Sequence, residues 1–324
     1  MQCDDMRQGQ NTPLISVWVV TYNHESYIAE TLDSIIGQKH IDLSNMEIII
    51  SDDCSSDSTA SIIRRYISKY PKLITLNVND VNLGITRNFN VALRLCRGDF
   101  IAFLGGDDLM LPTRLSSQLA WFRANPAGVI CSAGVEVFFN DTGIVSGQFY
   151  DRNFRNQRLA KVVRQVNQLP SSRFMIRRSG CADVFFDERT PVVSDWLFFN
   201  EIATRGDFGE INEIGIRYRR HQNNTTAAGM QNAYLDDRLI AVDIFFEAHP
   251  EYFMSCKIMR GHILYKHAKR CYLANDYKKA RRYCFYSILE FPLSIRPVFL
   301  AVFSLLGSSG RNIVDKYRRL KKSG

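Results

Sequence analysis

FIAFLGGDDLMLP, Phe100 to Pro112, is the stretch on which the reading of the fold turns. Its first five residues are an apolar run of strand length, ended abruptly by two glycines and two aspartates. Glycine and aspartate both favour tight turns, so GGDD alone reads as an ordinary link between a strand and a helix. Pro112 suits the first turn of that helix, where Leu115, Leu119 and Phe122 recur on one face. What else the chain brings to the same place decides whether the turn carries chemistry.

The same succession of strand, polar cluster and helix occurs three times before it. LISVWVV (14–20) leads through TYNHES to a helix with Ile28, Leu32, Ile35 and Ile36 on one face and Ser26 as its expected N-cap. EIII (47–50) leads through DDCSSDST to a helix with Ile62, Ile63, Tyr66 and Ile67 inward. ITLNV (74–78) leads to NLGITRN, which opens a helix carrying Phe89, Ala92 and Leu93; GVICSA (128–133) is a fifth strand. Strands alternating with short helices predict an α/β fold with an open, mostly parallel sheet. Ligands of such sheets sit outside the carboxyl ends of the strands. TYNHE, SDD, NLGITRN and GGDD therefore face one crevice. Any one of them reads well as a solvated loop; four at one edge point to a site.

The pattern loosens after about residue 150. Residues 151–168 are polar and basic and read as a loop, and SSRFMIRRSG (171–180) as a short strand with a turn. A helix follows with Trp196, Leu197, Phe199 and Ile202 on its apolar side, and GEINEIGIRYRRHQNNTT (209–226) closes the unit with one or two strands. From about Asn232 to Phe291 the chain is helical and basic. The expected organisation is a tail (1–13), a catalytic domain (14–230, halves 14–135 and 136–230) and a helical C-terminal region (231–324).

With 324 residues, 46% of them hydrophobic and 23% charged, the chain is globular and able to bury a sizeable core. Met1 to Pro13 is polar and lacks the apolar run of a secretory leader. The eight cysteines form no CxxC pair and no Cys/His zinc spacing, which fits reduced thiols in a cytoplasmic protein. The net charge of +8 is uneven: residues 253–324 hold 16 Lys and Arg against 3 Asp and Glu, +13, leaving −5 on the rest. A basic end of this kind implies an anionic partner, membrane or nucleic acid.

Asp107 and Asp108 supply adjacent carboxylates at a strand end, the ligand type that Mg²⁺ and Mn²⁺ take together with waters and phosphate oxygens. Gly105 and Gly106 leave room for a diphosphate against the backbone. Asp52 and Asp53 offer acceptors to a base or ribose, and Arg87 a cation for phosphate. There is no G-x-G-x-x-G dinucleotide fingerprint and no G-x-x-x-x-G-K-[ST] phosphate loop. A nucleotide with a metal-bridged diphosphate is the reading left.

VVTYNHESYIAETLDSIIGQ (19–38), IIISDDCSSDST (48–59), NLGITRN (82–88) and GDFIAFLGGDDLMLP (98–112), in this order, resemble the nucleotide-sugar-binding half of the family 2 inverting glycosyltransferases. The resemblance covers roughly residues 14 to 222. It implies a GT-A fold: a Rossmann-like, mixed and mostly parallel sheet flanked by helices, here with a C-terminal helical extension. It also implies that Thr21, Tyr22 and Asn23 lie along the base or ribose, with Glu25 nearby. Asp52 would bond the base beside Asp53, and Asn82, Gly84 and Arg87 would stand near base and phosphates. Asp107 matches the last acid of the family's DxD metal motif and Asp108 the acid after it, for Mn²⁺ or Mg²⁺. SDW resembles the element that supplies the general base, here Asp195. Arg177 and Arg178 resemble an acceptor-side pair, with Trp196 beside them, and His221 matches a histidine near the diphosphate. Two positions depart from the pattern: Gly105 stands where the first acid of the DxD is usual, and Ser194 where glutamate is common.

Each of these residues also has a plain structural reading. Asp195 suits a helix N-cap, His221 a surface histidine, Tyr22 and Trp196 packed aromatics, and Arg177 with Arg178 a solvated face. PVFLAVFSLLG (297–307) falls short of the ~20 residues of a spanning helix. It reads either as a core helix or as a helix lying in the membrane interface with basic residues on anionic headgroups. The expected function is transfer of one sugar from a UDP-linked donor to a polyprenyl-diphosphate-linked glycan in surface polysaccharide synthesis, such as O-antigen or capsule, at the inner face of the membrane. The rival readings are a GT-A-fold scaffold without activity, suggested by Gly105, and a nucleic-acid-binding protein using the basic end, against which the missing aromatic platform or recognition helix counts.

Overall fold

The computed structural model describes residues 14–149, 170–222, 224 and 231–307. The expected loop at 151–168 and the ends of the chain lie outside them. β1 (Ile15–Thr21) is buried along nearly its whole length, as its continuous apolar run requires of a strand covered on both faces. It pairs in parallel with β2 (Met46–Asp52) and with β4 (Phe100–Gly105), and β2 pairs in parallel with β3 (Ile74–Val78). Side chains alternate across this sheet. Val17 and Val19 join the core beneath α1 (Ile28–Ile36), α2 (Thr59–Lys69) and α4 (Arg114–Ala124), built on Leu32, Ile35, Ile63, Leu115, Leu119 and Phe122. Trp18 points the other way, edge-on to Phe89 of α3 (Ile85–Leu95) and to Phe103.

The sheet continues beyond β4 through both antiparallel and parallel pairs. Its order is β3-β2-β1-β4-β8-β6-β9-β5, with β7 paired to β6. Here β5 is Leu109–Met110, β6 Gly128–Phe139, β7 Val145–Phe149, β8 Phe174–Arg177 and β9 Asp207–Arg220. The sheet is thus mixed: parallel from β3 to β4 and between β6 and β9, and antiparallel where β8 bridges β4 to β6. GEINEIGIRYRR forms one long strand, not two. α5 (Ser194–Ala203) packs on the Trp18 face through Phe198, stacked 3.9 Å from Phe186, and Phe199, 5.2 Å from Phe103. α1 begins at Ile28 behind Tyr27, so Ser26 is not its cap.

Register sets the functional edge. Thr21 pairs with Asp52, Val20 with Gly105, and Asp52 with Val78, so the carboxyl ends of all four parallel strands are level. The ladder runs one bond further into the loops: Asp53 N donates to Thr21 O, Asn79 N to Asp52 O and Gly106 N to Val20 O, each within 2.9 Å. The four polar clusters therefore start from fixed backbone.

The chain divides into two compact units, with the change near residue 227. The second holds α6 (Gln231–Ala248), α7 (Phe253–Leu273), α8 (Tyr277–Glu290) and α9 (Ile295–Leu305). α7 and α8 close on small residues: Ser287 Oγ donates to Gly261 O at 2.7 Å, beside buried Ala280 and Cys284. α9 packs one side on its neighbours, with Leu300 and Phe303 half-buried, and leaves the other side open. Pro297 and Ser304 are buried, whereas Ile295, Val298, Phe299, Val302 and Leu305 are exposed, as are Leu289 and Leu293 before it. The run is thus a helix packed on one side that carries an exposed apolar face on the other. Among the described residues no helix is long and apolar enough to cross a membrane.

Candidate active site

Gly105 ends β4, and the next three residues turn into β5. Gly106 has no room for a side chain, because a Cβ there would stand 2.7 Å from Thr21 Cβ and Oγ1 and 2.9 Å from His24 Nδ1. The two aspartates then part. Asp108 is buried, with Oδ2 accepting from Ser172 Oγ at 2.7 Å and Oδ1 from Arg219 N at 3.1 Å. Burial and the neighbouring Asp107 charge push its carboxyl well above the usual range. Asp108 is thus an anchor of the turn, which corrects its expected part as a metal ligand.

Asp107 keeps its carboxylate at the functional edge. His221 Nε2 lies 3.0 Å and Asn224 Nδ2 3.2 Å from Oδ2, and His24 Nε2 lies 4.0 Å from the same atom. Burial alone raises the Asp107 carboxyl, but the hydrogen bond from His221 and the charges of His24 and His221 outweigh it and hold the group below its usual range. Burial pulls the His24 imidazole below its own range, against the opposing field of Asp107. Arg219 braces the turn from behind, donating from Nε to Asp107 O, from Nη1 to Asn140 and from Nη2 to Glu30.

Asp52, at the end of β2, accepts from Ser55 N at 2.8 Å through Oδ1. Its Oδ2 is buried with no hydrogen-bond partner among the described residues, and burial raises the carboxyl above its usual range. An orphan buried acceptor costs about 1–3 kcal/mol, so this oxygen is either a flaw or a place kept for a donor. Asp53 is satisfied inside the protein. It takes Asn79 Nδ2, Leu83 N and Gly84 N at 2.8–3.0 Å, and so shapes the NLG loop instead of meeting a nucleotide. Gly84 has φ of +80°, a conformation natural to glycine, and Asn82 Oδ1 accepts from its N–H as the chain enters α3.

The TYNHE loop is laced to DDCSSDST. Asn23 Oδ1 accepts from Ser56 N, Glu25 Oε2 from Ser58 N, and His24 N donates to Thr59 Oγ1, all at 2.8–2.9 Å. Tyr22 beside them is 46% exposed at the same edge, open to a flat partner. Arg87 projects from the first turn of α3 with its side chain 62% exposed and is paired with Glu188 at 2.9 Å.

Asp195 lies in the first turn of α5, half-buried, and its Oδ1 accepts from Trp196 N. Ser194, in the place of the frequent glutamate, is buried, with Oγ 2.7 Å from Thr86 Oγ1. That contact ties the start of α5 to the helix behind the NLG loop. Trp196 is 1% exposed and belongs to the core, not to an acceptor site. Arg177 and Arg178 are corrected too. Arg177 pairs with Phe100 at the far end of β4, donates to Gly128 O and stacks on Phe100 and Phe122; Arg178 N bonds Asp99 O. Both stand at the opposite end of the sheet from Asp107.

The donors around Asp107 suit a divalent cation in kind: one carboxylate and imidazole nitrogens. Among the described residues no three His, Cys, Asp or Glu side chains form a ready metal cage. Buried His221 Nδ1 has no hydrogen-bond partner among the described residues. His24, Asn224 and Arg219 were not among the expected site residues. His24 is one residue past the TYN segment, and Arg219 is two residues before His221, which are the signals that pointed to them.

Sheet order, level strand ends and the turn after β4 define a GT-A domain. A structure of Staphylococcus aureus TarS residues 1–349 in complex with UDP-GlcNAc superposes with a TM-score of 0.65 at 17% identity, covering 94% of this chain and 91% of that one. The mannosyltransferase PcManGT from Pyrobaculum calidifontis, in complex with GDP-Man and Mn²⁺, gives 0.58 at 16% identity over 93% and 83%. An uncharacterized protein of Mycobacterium tuberculosis is 29% identical over 225 residues, 69% of this chain and 62% of that relative's length. The sequence model of glycosyl transferase family 2 matches residues 16–185, more than half of the chain. The chain belongs to that family.

Proposed function

We propose that the protein is an inverting glycosyltransferase that moves one sugar from a UDP-linked donor to a glycan carried on polyprenyl diphosphate. The observation that carries this reading is the single edge where Asp52 presents an unpartnered buried acceptor and Asp107 a carboxylate ringed by donors. Asp52 Oδ2 receives the N–H of the base, and Tyr22 offers it a face. Thr21, Asn23 and Glu25 hold the loop beneath it, and Asn82 with Gly84 turns the backbone so that Arg87 leaves Glu188 for the diphosphate.

A divalent cation, Mn²⁺ or Mg²⁺, held by Asp107 with His221 beside it, would neutralise charge on the diphosphate. Asp195 accepts the proton of the acceptor hydroxyl as its oxygen attacks the anomeric carbon from the face opposite the leaving group. The new C–O bond forms as the bond to the β-phosphate oxygen breaks; that oxygen leaves with the electron pair, and Arg87 offsets its charge. Asp195 then releases the proton to solvent, and the configuration is inverted.

The lipid-linked acceptor and a place at the inner face of the membrane are supported by the second unit. An exposed apolar face on α9, with basic residues such as Arg282 and Arg296 in the same unit, suits a helix lying in an anionic interface. Phe299→Glu with Val302→Glu in the full chain is expected to abolish sedimentation with vesicles containing phosphatidylglycerol; equal sedimentation contradicts the membrane reading. Release of UDP from UDP-sugars in the presence of Mn²⁺ separates this function from that of a scaffold without activity.

A further inference from the structure

We infer that the helical unit holds a binding site for a diphosphate group, formed around His262 by Lys266 and Arg270 of α7, Arg238 of α6 and Arg296 of α9. The inference rests on the lipid-linked acceptor reading above for the source of that diphosphate, and on the second unit alone for the site.

α7 has no aspartate or glutamate among its 21 residues. Its first two cations are neutralised by neighbouring helices: Lys257 pairs with Glu290 at 3.2 Å, and Arg260 with Glu290 at 3.0 Å and with Asp243. Further along, that balance ends. His262, Lys266 and Arg270 follow one another at i, i+4 and i+8, a single line along the helix, with Lys269 beside it. Among the described residues no carboxylate pairs with Lys266, Lys269, Arg270 or Arg296.

The adjoining helices add charge of the same sign. Arg238 of α6 acts on both Lys266 and His262. At the other end of the line, Ser287 Oγ donates to Gly261 O at 2.7 Å, and a Cβ on Gly261 would stand 3.0 Å from Phe291 Cβ. The link from α8 to α9 therefore passes beside His262. α9 opens there without a side-chain cap, and Arg296 in its first turn acts on His262. Uncapped N–H groups and the positive end of the helix dipole favour an anion at the same place. The acid of α6 at Asp236 acts instead on His267, whose ring turns to Tyr283 of α8.

Like charges gathered in this way repel, and an anion among them removes the repulsion. Burial, and then Arg238, Arg270 and Lys269, pull the Lys266 ammonium below its usual range. Burial, with Lys266, Arg296 and Arg238, pulls the His262 imidazole below its own. His262 Nε2 is buried with no hydrogen-bond partner among the described residues. Lys266 and His262 are half-buried and form a floor, while Arg270 and Arg296 are exposed at its rim. Guanidinium groups bind phosphate oxygens in pairs, and lysine adds a point charge. A phosphodiester headgroup brings a single charge to such a set, whereas a diphosphate brings more charge and more oxygens.

The site is tested on the full chain with UDP present to fill the donor edge. Inorganic diphosphate should slow acetylation of Lys266 about tenfold, read by mass spectrometry, and leave Lys278 on α8 unaffected. No protection of Lys266, or equal protection of Lys278, overturns the site. Vesicles of phosphatidylcholine carrying either phosphatidylglycerol or polyprenyl diphosphate, at equal total charge, test the source. The wild type should bind the diphosphate vesicles about tenfold more tightly. Lys266→Gln with Arg270→Gln should erase that preference, whereas Lys278→Gln with Lys279→Gln, an equal loss of charge, should keep it. A preference that survives Lys266→Gln with Arg270→Gln also overturns the site. Protection of Lys266 together with equal binding of both vesicles leaves a site for free diphosphate, and sinks the lipid-linked acceptor reading instead.

Discussion

His221 Nε2 lies 3.0 Å from Asp107 Oδ2, joining the end of β9 to the turn after β4 across 114 residues of sequence. The contact exists because Arg219, two residues earlier on β9, pins the turn by its own N–H to Asp108 and its guanidinium to Asp107 O. One aspartate of GGDD thus holds the turn, and the other keeps its carboxylate beside His221 at the strand edge.

Asp107→Asn keeps the shape of the turn but removes the charge that faces His221 and that is proposed to hold the cation. The variant is expected to fold, to bind UDP in the absence of metal, and to lose Mn²⁺-dependent release of UDP by about 10²-fold or more. Steady-state assays with and without Mn²⁺ check this. Asp108→Asn behaves in the opposite way. It replaces an acceptor of two internal bonds, so the loss falls on stability, about 1–3 kcal/mol by denaturant unfolding.

Asp52 carries a pH signature. Its carboxyl is raised in the folded protein by burial, so the folded state holds this proton at pH values where the unfolded chain has released it. Stability from Asp52 is therefore present at low pH and lost as pH rises from the ordinary carboxylate value, about 3.9, through the raised one. Asp52→Asn is expected to melt a few degrees higher than wild type at pH 7, about 2–4 °C for a gain of about 1 kcal/mol. The difference should shrink towards pH 4. The same substitution should weaken UDP binding about tenfold or more, the stability–function trade expected of a binding group left unpartnered.

Gly106→Ala tests how closely the turn is packed against Thr21 and His24. Its Cβ would meet Thr21 Cβ at 2.7 Å, and the strand end cannot yield without disturbing the ladder bond from Gly106 N to Val20 O. A loss of about 1–3 kcal/mol is expected by denaturant unfolding. Gly143→Ala, in an open turn with nothing within 4 Å of the added Cβ, should cost about 1 kcal/mol through its positive φ alone.

Asp195→Asn removes the proposed base and leaves the donor edge intact. UDP-sugar affinity should be unchanged, while kcat for transfer to a glycan acceptor falls by about 10²–10⁴. Thr86→Val, which breaks the 2.7 Å link to Ser194, should lower kcat less, since it only loosens the start of α5.

The first half of the sheet was legible because β1, β2 and β4 centre on apolar runs, each stopped by a polar cluster, and parallel pairing brings those stops level. The rest depended on register and facing, which residue types do not carry. Asp107 and Asp108 look alike in sequence, yet a turn sends one outward and one into Ser172 and Arg219. Arg177 and Arg178 resembled an acceptor element, but the antiparallel run of β8 carries them to the far end of β4. Trp196 follows Asp195 directly, and the helix turns it into the core. His24 was passed over because its value lies in a contact with a residue more than eighty positions away.

The most direct measurement of the central claim is proton NMR of the full chain incubated with α-linked UDP-sugars and Mn²⁺. Release of UDP with the β-anomer of the sugar appearing first, lost in Asp107→Asn, is the predicted result. Retention of the α-configuration, or equal release by Asp107→Asn, would contradict the account.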